Sequence, residues 1–342
     1  MLRCKFAISV LLSMCTLLGS MGVAMASEVN LYSARKEALI KPLLNDFTAK
    51  TGIKVNLVTG KADALLKRLK SEGRNSPADV LITTDAGRLH RAKTAGVTQA
   101  INSSLLDSVI PANYRDNDNH WIGLSVRSRP ILYVKGKVNP AELSTYEDLA
   151  NPKWKQRICI RSSSNIYNQS LVASMIIANG VAQTETWAKT LVSNLARPPK
   201  GGDRDQIKAA AAGQCDIAIA NTYYLAGMLN SDKSGQKQAA MKMGVFWPNQ
   251  NSRGAHVNIS GAAITRYSKN PDNAKKLIEF LASDKAQQWY AEVNGEYPVI
   301  AGVTIGETLK AWGEFKSDTK SISRLGELNR DAVMLMDRAG WK

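Results

Sequence analysis

The sequence predicts an α/β fold of two lobes that are hinged around a cleft, and three observations support this. From Glu28 onward, short apolar strands alternate with amphipathic helices, the pattern of a sheet that helices cover on both faces. Removing a predicted leader of 26 residues from the 342 leaves 316, too many for one compact core and suitable for two lobes. Two apolar segments, 121–133 and 245–248, are predicted to cross between the lobes, and paired crossings allow hinge closure.

The first 26 residues are typical of a secretory signal peptide. Arg3 and Lys5 precede an apolar segment, 6–18, and the stretch ends in Ala24-Met25-Ala26, a small-x-small cleavage pattern. We therefore expect a mature chain that begins at Ser27 and is exported to the periplasm. No later segment approaches 18 consecutive apolar residues, so no membrane span is expected in the mature chain.

The first lobe is predicted to open with a βαβαβ unit. Its elements are strands at 29–32, 54–58 and 78–83 and helices at 36–48 and 62–72. This order predicts a parallel sheet, because right-handed crossovers place each helix between parallel strands. From the two crossings we assign 27–126 and 250–300 to the N-terminal lobe, and 127–249 and 301–342 to the C-terminal lobe.

Helices of the second lobe are predicted to follow short strands. Strand 157–160 leads into a Ser- and Asn-rich segment, 162–170, and then a helix from Leu171. Such an approach to a helix start is a ready site for an anion. Gly201-Gly202 turns the chain toward another helix, 207–212, and we interpret the glycine pair as serving backbone geometry.

The chain is strongly basic, with 45 Lys and Arg against 29 Asp and Glu and a formal net charge of +16. The leader holds Arg3 and Lys5 and no acid, so the mature charge is +14. Basic and acidic residues are interleaved, with no arginine-rich run or aromatic–basic motif, and export also argues against nucleic acid. We expect no nucleic-acid partner; the positive field favours anionic chelates or an anionic membrane surface.

Cys159 and Cys215 are the two cysteines that remain after the leader, an even pair in an oxidising compartment. They predict a disulfide, and the alternative is two buried free thiols. Cys159 lies eight residues before Tyr167, and Cys215 lies eight before Tyr223. A disulfide would therefore connect the chain segments that lead to Tyr167 and Tyr223.

Tyr223 and Tyr224 follow a predicted strand at 215–220, where the chain turns into a helix. Adjacent side chains inside a strand point to opposite faces, but just past the strand end they can converge. Open α/β sheets bind ligands at this edge. Two neighbouring phenols there suggest a site for hard, anionic oxygen chemistry; the alternative is two half-buried rings with solvated hydroxyls.

Histidines and carboxylates give little sign of catalysis. His90, His120 and His256 are each expected to be solvated or structural. Asp85, at the end of the third strand, is expected either to hydrogen-bond in the cleft or to cap a helix. Since the chain has no G-x-S-x-G or paired-carboxylate motif, we do not expect an enzyme.

Several motifs together resemble the periplasmic ferric-iron-binding proteins of bacterial ABC importers. They are Ser-Pro-Ala-Asp-Val (76–80), Cys-Ile-Arg-Ser (159–162), Asn-Ile-Tyr-Asn-Gln-Ser (165–170), Gly-Gly-Asp-Arg-Asp-Gln (201–206), Asn-Thr-Tyr-Tyr (221–224), Asn-Ile-Ser-Gly (258–261) and Trp-Gly-Glu-Phe-Lys-Ser-Asp (312–318). The resemblance implies a two-lobed, Venus-flytrap, class II periplasmic-binding-protein fold. It also implies Fe³⁺ as cargo and delivery to an inner-membrane ABC permease, and we expect a monomer.

The resemblance maps the family's three tyrosine ligands onto Tyr167, Tyr223 and Tyr224. Many relatives have a His where Lys36 stands here, four residues after Tyr32, so the chain is similar to the branch whose coordination a small anion such as carbonate completes. Arg35 and Arg127 match the positions that hold the anion, with Arg129 and Lys36 as alternatives.

The chemistry of the phenol group agrees with this assignment. A phenol pKa lies near 10, so three phenolates at neutral pH require a strongly charged cation to displace their protons. Tyrosinate is a known iron ligand, whereas zinc prefers His and Cys and calcium prefers carboxylates. The alternative is a binding protein for another small anion, such as phosphate, sulfate or an organic acid, without metal.

Overall fold

The computed structural model describes residues 27–318, 320 and 322–342, so the predicted signal peptide lies outside the described residues. The strands are β1 Glu28–Ser33, β2 Lys54–Thr59, β3 Val80–Thr84, β4 Thr98–Gln99, β5 Ile122–Ser128, β6 Ile131–Val134, β7 Ile158–Cys159, β8 Ile217–Ile219, β9 Met243–Phe246 and β10 Val257–Thr265. The helices are α1 Glu37–Thr51, α2 Ala62–Glu72, α3 Ala86–Thr94, α4 Ser104–Val109, α5 Ile166–Ser193, α6 Asp203–Ala211, α7 Thr222–Leu229, α8 Ser234–Met241, α9 Pro271–Leu281, α10 Asp284–Glu292, α11 Glu307–Lys310, α12 Ser323–Glu327 and α13 Asn329–Arg338. In the described part of the chain, no helix is long and apolar enough to cross a membrane.

The first sheet has six strands. Five follow the order β2-β1-β3-β10-β4, and β5 also pairs with β10. Strand β1 runs parallel to β2 and β3, as the βαβαβ pattern predicts. The prediction of a parallel sheet is nevertheless wrong for the sheet as a whole, because β10 pairs antiparallel with β3, β4 and β5. Strand β10 is buried along its whole length, so a strand from late in the chain forms the centre of this sheet.

The second sheet has four strands in the order β7-β8-β6-β9. Strands β7 and β8 are parallel, and β6 is antiparallel to both of its neighbours. Helix α5 follows β7 and helix α7 follows β8, so the first turns of these two helices lie near the carboxyl ends of the strands. Helix α6 lies between α5 and β8 along the chain.

Two segments connect the sheets. The predicted crossing strand at 121–133 is two strands, β5 in the first sheet and β6 in the second, separated by Arg129 and Pro130. Proline has no N–H for a ladder, which suits a point where the chain leaves one sheet for another. The return crossing runs from β9 to β10. The Ser128 hydroxyl and the Arg129 N–H both donate to the His256 carbonyl, at 2.8 and 3.2 Å, and so join the two crossings.

The C-terminal helices contact both parts of the molecule. Helix α12 packs on α3 and α5, and α13 packs on α5. Buried side chains of α13, Ala332, Leu335 and Met336, belong to a core cluster that also contains residues of the first sheet. The lobe boundaries assigned from the sequence stay a prediction.

Candidate metal centre

All three candidate tyrosines lie in the first turns of helices. Helix α7 begins at Thr222, so Tyr223 and Tyr224 occupy its first turn, just beyond β8. Helix α5 begins at Ile166, five residues before its predicted start at Leu171. The reason is an N-cap that the prediction missed: the Asn165 side chain accepts a hydrogen bond from the Tyr167 N–H at 3.1 Å. Tyr167 is therefore a helix residue rather than a loop residue.

The two adjacent phenols lie side by side. The ring centroids of Tyr223 and Tyr224 are 4.3 Å apart, with 35° between the ring planes. Both rings are half-buried. Tyr167 is close enough that its negative charge raises the pKa of both neighbours. The structure thus brings together the three tyrosines that the sequence singled out.

The pKa values of Tyr223 and Tyr224 are raised in the metal-free protein. Burial, and then the charges of Tyr167 and Asp203, raise the pKa of Tyr224 to about 12, although a hydrogen bond from Tyr223 and the charge of Arg161 act in the opposite direction. Burial and the neighbouring phenolates raise the pKa of Tyr223 well above 10. Tyr223 and Tyr224 are therefore protonated at neutral pH unless a cation replaces their protons.

Arg127 lies beneath Tyr167. Its guanidinium carbon is 5.4 Å from the Tyr167 ring centroid, and Nη1 donates to the Ser260 hydroxyl at 2.7 Å. Nη2 donates to the Ile259 carbonyl. These partners are neutral, and Arg127 is only 2 % exposed. Arg127 therefore holds a positive charge beside the phenols without an acid in direct contact among the described residues.

Arg35 is arranged differently. Its Nη2 donates to Glu296 at 2.7 Å and to the Ser125 hydroxyl at 2.7 Å, and its guanidinium lies 4.8 Å from the Tyr290 ring centroid. Burial alone would raise the pKa of Glu296, but the charges of Arg35 and Arg127 lower it, so the pair is ionised. Since an acid already neutralises Arg35, its predicted role in holding an anion stays a prediction.

The two alternative cations lie in opposite environments. Lys36 is exposed and precedes α1, with no side-chain cap hydrogen bond. Arg129 is buried among the helix starts, where it pairs with Asp203 at 2.6 Å and donates to Asn221 at 2.8 Å. Sequence reasoning missed Asp203, which also pairs with Arg161 at 2.6 Å. The Gly-Gly-Asp-Arg motif carries part of the family resemblance, but the sequence assigned its glycines to backbone geometry and gave its aspartate no role.

Asp85 performs both of the roles that the sequence left open. Its Oδ1 accepts from the Gly87 N–H at 2.9 Å, which caps α3, and from the Ser170 hydroxyl of α5 at 2.6 Å. Its Oδ2 accepts from the Asn258 side chain at 2.9 Å. The backbone of Asp85 has φ 83°, an uncommon value for a residue other than glycine. The contact with Ser170 connects the β3–α3 turn to the helix that carries Tyr167.

Two of the histidines, His120 and His256, have defined surroundings, and one of them borders the site. The His120 ring is 2.8 Å from the Thr98 hydroxyl. His256 is buried and borders a small gap, together with Arg127 and Tyr167. Burial, and then the charge of Arg129, lower the pKa of His256 to about 3, so this imidazole is neutral at physiological pH.

The predicted disulfide is confirmed. Cys159 and Cys215 are bonded, with their Cα atoms 5.9 Å apart. Cys159 ends β7 and Cys215 lies two residues before β8. The bond therefore joins the two segments that lead to the tyrosine-bearing helices.

Other metal-ligand sets are missing from the described residues. None of their His, Cys, Asp and Glu side chains form a group of three or more that could hold a metal ion. The phenols of Tyr167, Tyr223 and Tyr224 are accordingly the candidate donor set. Phenolate oxygen is a hard, anionic donor that suits a small, highly charged cation.

Comparison with known proteins gives consistent matches along the chain. Residues 75–316 match the family described as bacterial extracellular solute-binding protein. Iron uptake protein A1 of Synechocystis is 52% identical over 315 residues, which cover 92% of this chain and 88% of that protein. A Trichodesmium structure in complex with iron and citrate has 54% identity and a TM-score of 0.90, covering 92% of this chain and 100% of that chain.

A ferric binding protein from Campylobacter jejuni has 40% identity and a TM-score of 0.87, with 92% of this chain and 100% of that chain covered. The resemblance to ferric-binding proteins and the two-lobed class II fold that it implied are both confirmed.

Proposed function

The chain belongs to the bacterial extracellular solute-binding protein family, and from that premise we propose that it is a periplasmic protein that captures Fe³⁺ through Tyr167, Tyr223 and Tyr224. A synergistic anion such as carbonate completes the coordination, and the loaded protein delivers iron to an inner-membrane ABC permease. It acts as a monomer and catalyses no reaction.

The observation that carries the proposal is the placement of three phenols at the first turns of α5 and α7, beside Arg127, which has no acid in direct contact among the described residues. A helix start presents free N–H groups and a partial positive charge, which favours anionic oxygen. Burial, and then the repulsion between ionised phenols, raises the pKa values of Tyr223 and Tyr224. A trivalent cation between the oxygens would replace this repulsion with attraction.

The charges around the site support an additional anion. Three phenolates neutralise Fe³⁺, and Asp203 pairs with both Arg129 and Arg161. Arg127 contacts neutral partners, and the Arg204 guanidinium lies 5.0 Å from the Tyr224 ring centroid without an ion pair among the described residues. The loaded site therefore retains positive charge, which a dianion such as carbonate would neutralise.

The relatives support iron as the cargo. The Synechocystis relative is named as an iron uptake protein, and the Trichodesmium structure contains iron and citrate. Citrate and carbonate share the carboxylate-type oxygen that a guanidinium recognises. We propose the same class of ligand for this chain, namely ferric iron with a small oxygen-donor anion.

A titration of the metal-free protein with Fe³⁺ tests the proposal. We expect a visible phenolate-to-iron charge-transfer band that saturates at one iron per chain and is more intense in bicarbonate than in bicarbonate-free buffer. Tyr167→Phe and Tyr223→Phe should each lose most of the band, while Tyr267→Phe, a half-buried tyrosine beyond β10, should keep it.

A colourless protein that binds phosphate, sulfate or an organic acid without metal would contradict the proposal. It would favour the alternative in which the tyrosines only line an anion site.

A further inference from the structure

One buried guanidinium connects the helices that carry the tyrosines. Arg129 Nη1 donates to Asp203 Oδ1 at 2.6 Å and to Asn221 Oδ1 at 2.8 Å. Its Nη2 donates to Asn168 Oδ1 at 2.7 Å and to the Ile219 carbonyl at 3.2 Å. The Arg129 side chain is 1 % exposed. Four groups from three separate segments are thus fixed to one planar ion.

Two of these contacts, Asn168 and Asn221, lie within two residues of a candidate ligand along the chain. Asn168 directly follows Tyr167 in α5, and Asn221 is the residue before α7, two positions before Tyr223. Asp203 is the first residue of α6. A change in the position of Arg129 would therefore move the first turns of α5 and α7 relative to each other.

Asp203 completes the connection from the opposite side. Its Oδ1 accepts from the Asn221 N–H at 3.1 Å as well as from Arg129, and its Oδ2 accepts from Arg161 at 2.6 Å. The Arg161 guanidinium lies 5.9 Å from the Tyr167 ring centroid. Both oxygens of the Asp203 carboxylate therefore accept hydrogen bonds, and each donor lies close to one of the candidate tyrosines or to the helix that carries it.

Arg129 also lies where the chain crosses between the lobes. It follows β5 and precedes β6, and its N–H donates to the His256 carbonyl of the return crossing. Its own carbonyl accepts a hydrogen bond from the Tyr146 hydroxyl at 2.9 Å. The backbone of Arg129 is thus fixed at the hinge while its side chain is fixed at the helix starts.

Burying a charged pair is expensive, and well-packed apolar residues often replace such pairs without loss of stability. The arrangement therefore indicates a requirement for geometry. A guanidinium presents its donors in a rigid plane, whereas an ammonium group is a point charge on a flexible chain.

Accordingly, we propose that Arg129 is a positioning residue: with Asp203, it sets the relative positions of the three phenol oxygens without touching the metal. This inference rests on the proposed function. It assigns Arg129 a role different from the anion contact that the sequence left open.

The test compares Arg129→Lys with Arg157→Lys. Arg157 also pairs with an acid of the same lobe, Asp216 at 2.7 Å, but it precedes β7, at the opposite end of that strand from the segment leading to Tyr167. We expect Arg129→Lys to shift the maximum of the iron charge-transfer band and to speed iron release to a competing chelator ~10–100-fold, the usual effect of losing an outer-shell partner. Arg157→Lys should leave the band and the release rate unchanged.

The protein's thermal midpoint, measured in parallel, separates lost stability from altered geometry. Asp203→Asn keeps the side-chain shape, removes the charge and serves if Arg129→Lys does not fold; it should shift the band in the same way. Folded Arg129→Lys or Asp203→Asn with an unchanged band and release rate would overturn the inference. If the wild-type protein and Arg157→Lys show no band with Fe³⁺, the proposed function itself fails.

Discussion

The two lobes place very different side chains at the cleft. On the side of the six-stranded sheet, Arg35 and Asp85 are engaged with neighbours: Arg35 with Glu296, and Asp85 with the α3 start and Asn258. On the side of the four-stranded sheet, Tyr167 lies beside the Tyr223–Tyr224 pair, whose ionisation is opposed by burial and then by the charges of neighbouring phenolates.

The comparison shows that the two sides of the cleft respond differently to a ligand. Buried charges that already have partners change their interactions little when a ligand binds, so they form a rigid frame. Phenols that cannot ionise alone gain much from a cation, because the cation relieves both their burial cost and their repulsion. In our interpretation, the side of the six-stranded sheet supplies the frame and the Arg127 cation, and the side of the four-stranded sheet supplies the metal donors.

The largest effect should come from the covalent bond of the second lobe. Replacing both cysteines, Cys159→Ser with Cys215→Ser, opens a loop whose ends are separated by 56 positions in the sequence. On the chain-entropy model this lowers the free energy of unfolding by about 4 kcal/mol. Urea unfolding of the metal-free protein measures the loss.

The reduced wild-type protein is the control, because it has the same sequence and lacks only the bond. It should match the double variant. Disulfides usually stabilise a fold by about 2–4 kcal/mol. If the free energy of unfolding falls by less than about 1 kcal/mol in both proteins, the four-stranded sheet holds its two tyrosine segments without the bond.

Iron affinity should fall steeply as the pH falls. The pKa of Tyr224 is raised to about 12 and that of Tyr223 well above 10, so both phenols are protonated throughout the neutral range and must release protons to bind iron. Iron bound through three phenolates displaces three protons, which corresponds to ~1000-fold in affinity per pH unit, or about 4 kcal/mol. Competition with a chelator of known protonation constants, between pH 6 and pH 8, measures the slope.

The same raised pKa values determine the behaviour of the metal-free protein. Folding favours the protonated phenols, so their contribution to stability is complete below the ordinary phenol pKa of about 10 and is lost as the pH rises toward 12. If affinity does not change with pH, after correction for the chelator and for iron hydrolysis, the two phenols do not ionise on binding.

The sequence predicted the positions of the candidate tyrosines better than the contacts that hold them. The strand–helix order located Tyr223 and Tyr224 correctly at a helix start, because that position depends on local periodicity. It could not show that β10 would be central to the first sheet, since strand pairing between distant segments leaves no local pattern. The contacts of Arg129 and Asp203 with Asn221 were missed for the same reason, since Asn221 lies 92 positions after Arg129 and 18 positions after Asp203.

The contact between the lobes should have a moderate effect. Ser170→Ala removes the hydroxyl that donates to Asp85 at 2.6 Å and leaves a buried carboxylate with one partner fewer. We expect a loss of about 1.5–3 kcal/mol in the free energy of unfolding, the usual range for a hydrogen bond to a charged group. Because Tyr167 is one turn earlier in α5, iron release should also be faster.

Ser174→Ala is the matched control for this variant. Its hydroxyl is also buried and lies one turn further along α5, but it donates to the Leu171 carbonyl of its own helix. Equal effects of the two variants on iron release would show that the Asp85–Ser170 contact does not connect the frame to the metal donors.

The smallest effect is expected at Lys36, one of the two cations that the sequence offered as alternative anion contacts. The side chain is exposed, and it makes no hydrogen bond or ion pair with the described residues. Lys36→Ala should change the free energy of unfolding by less than about 0.5 kcal/mol, as for other surface substitutions, and leave the iron affinity within about twofold. Chelator competition in bicarbonate buffer measures the affinity. A tenfold loss would mean that the first lobe reaches the bound ion or its anion directly through Lys36, and the division into a frame and a donor side would then be wrong.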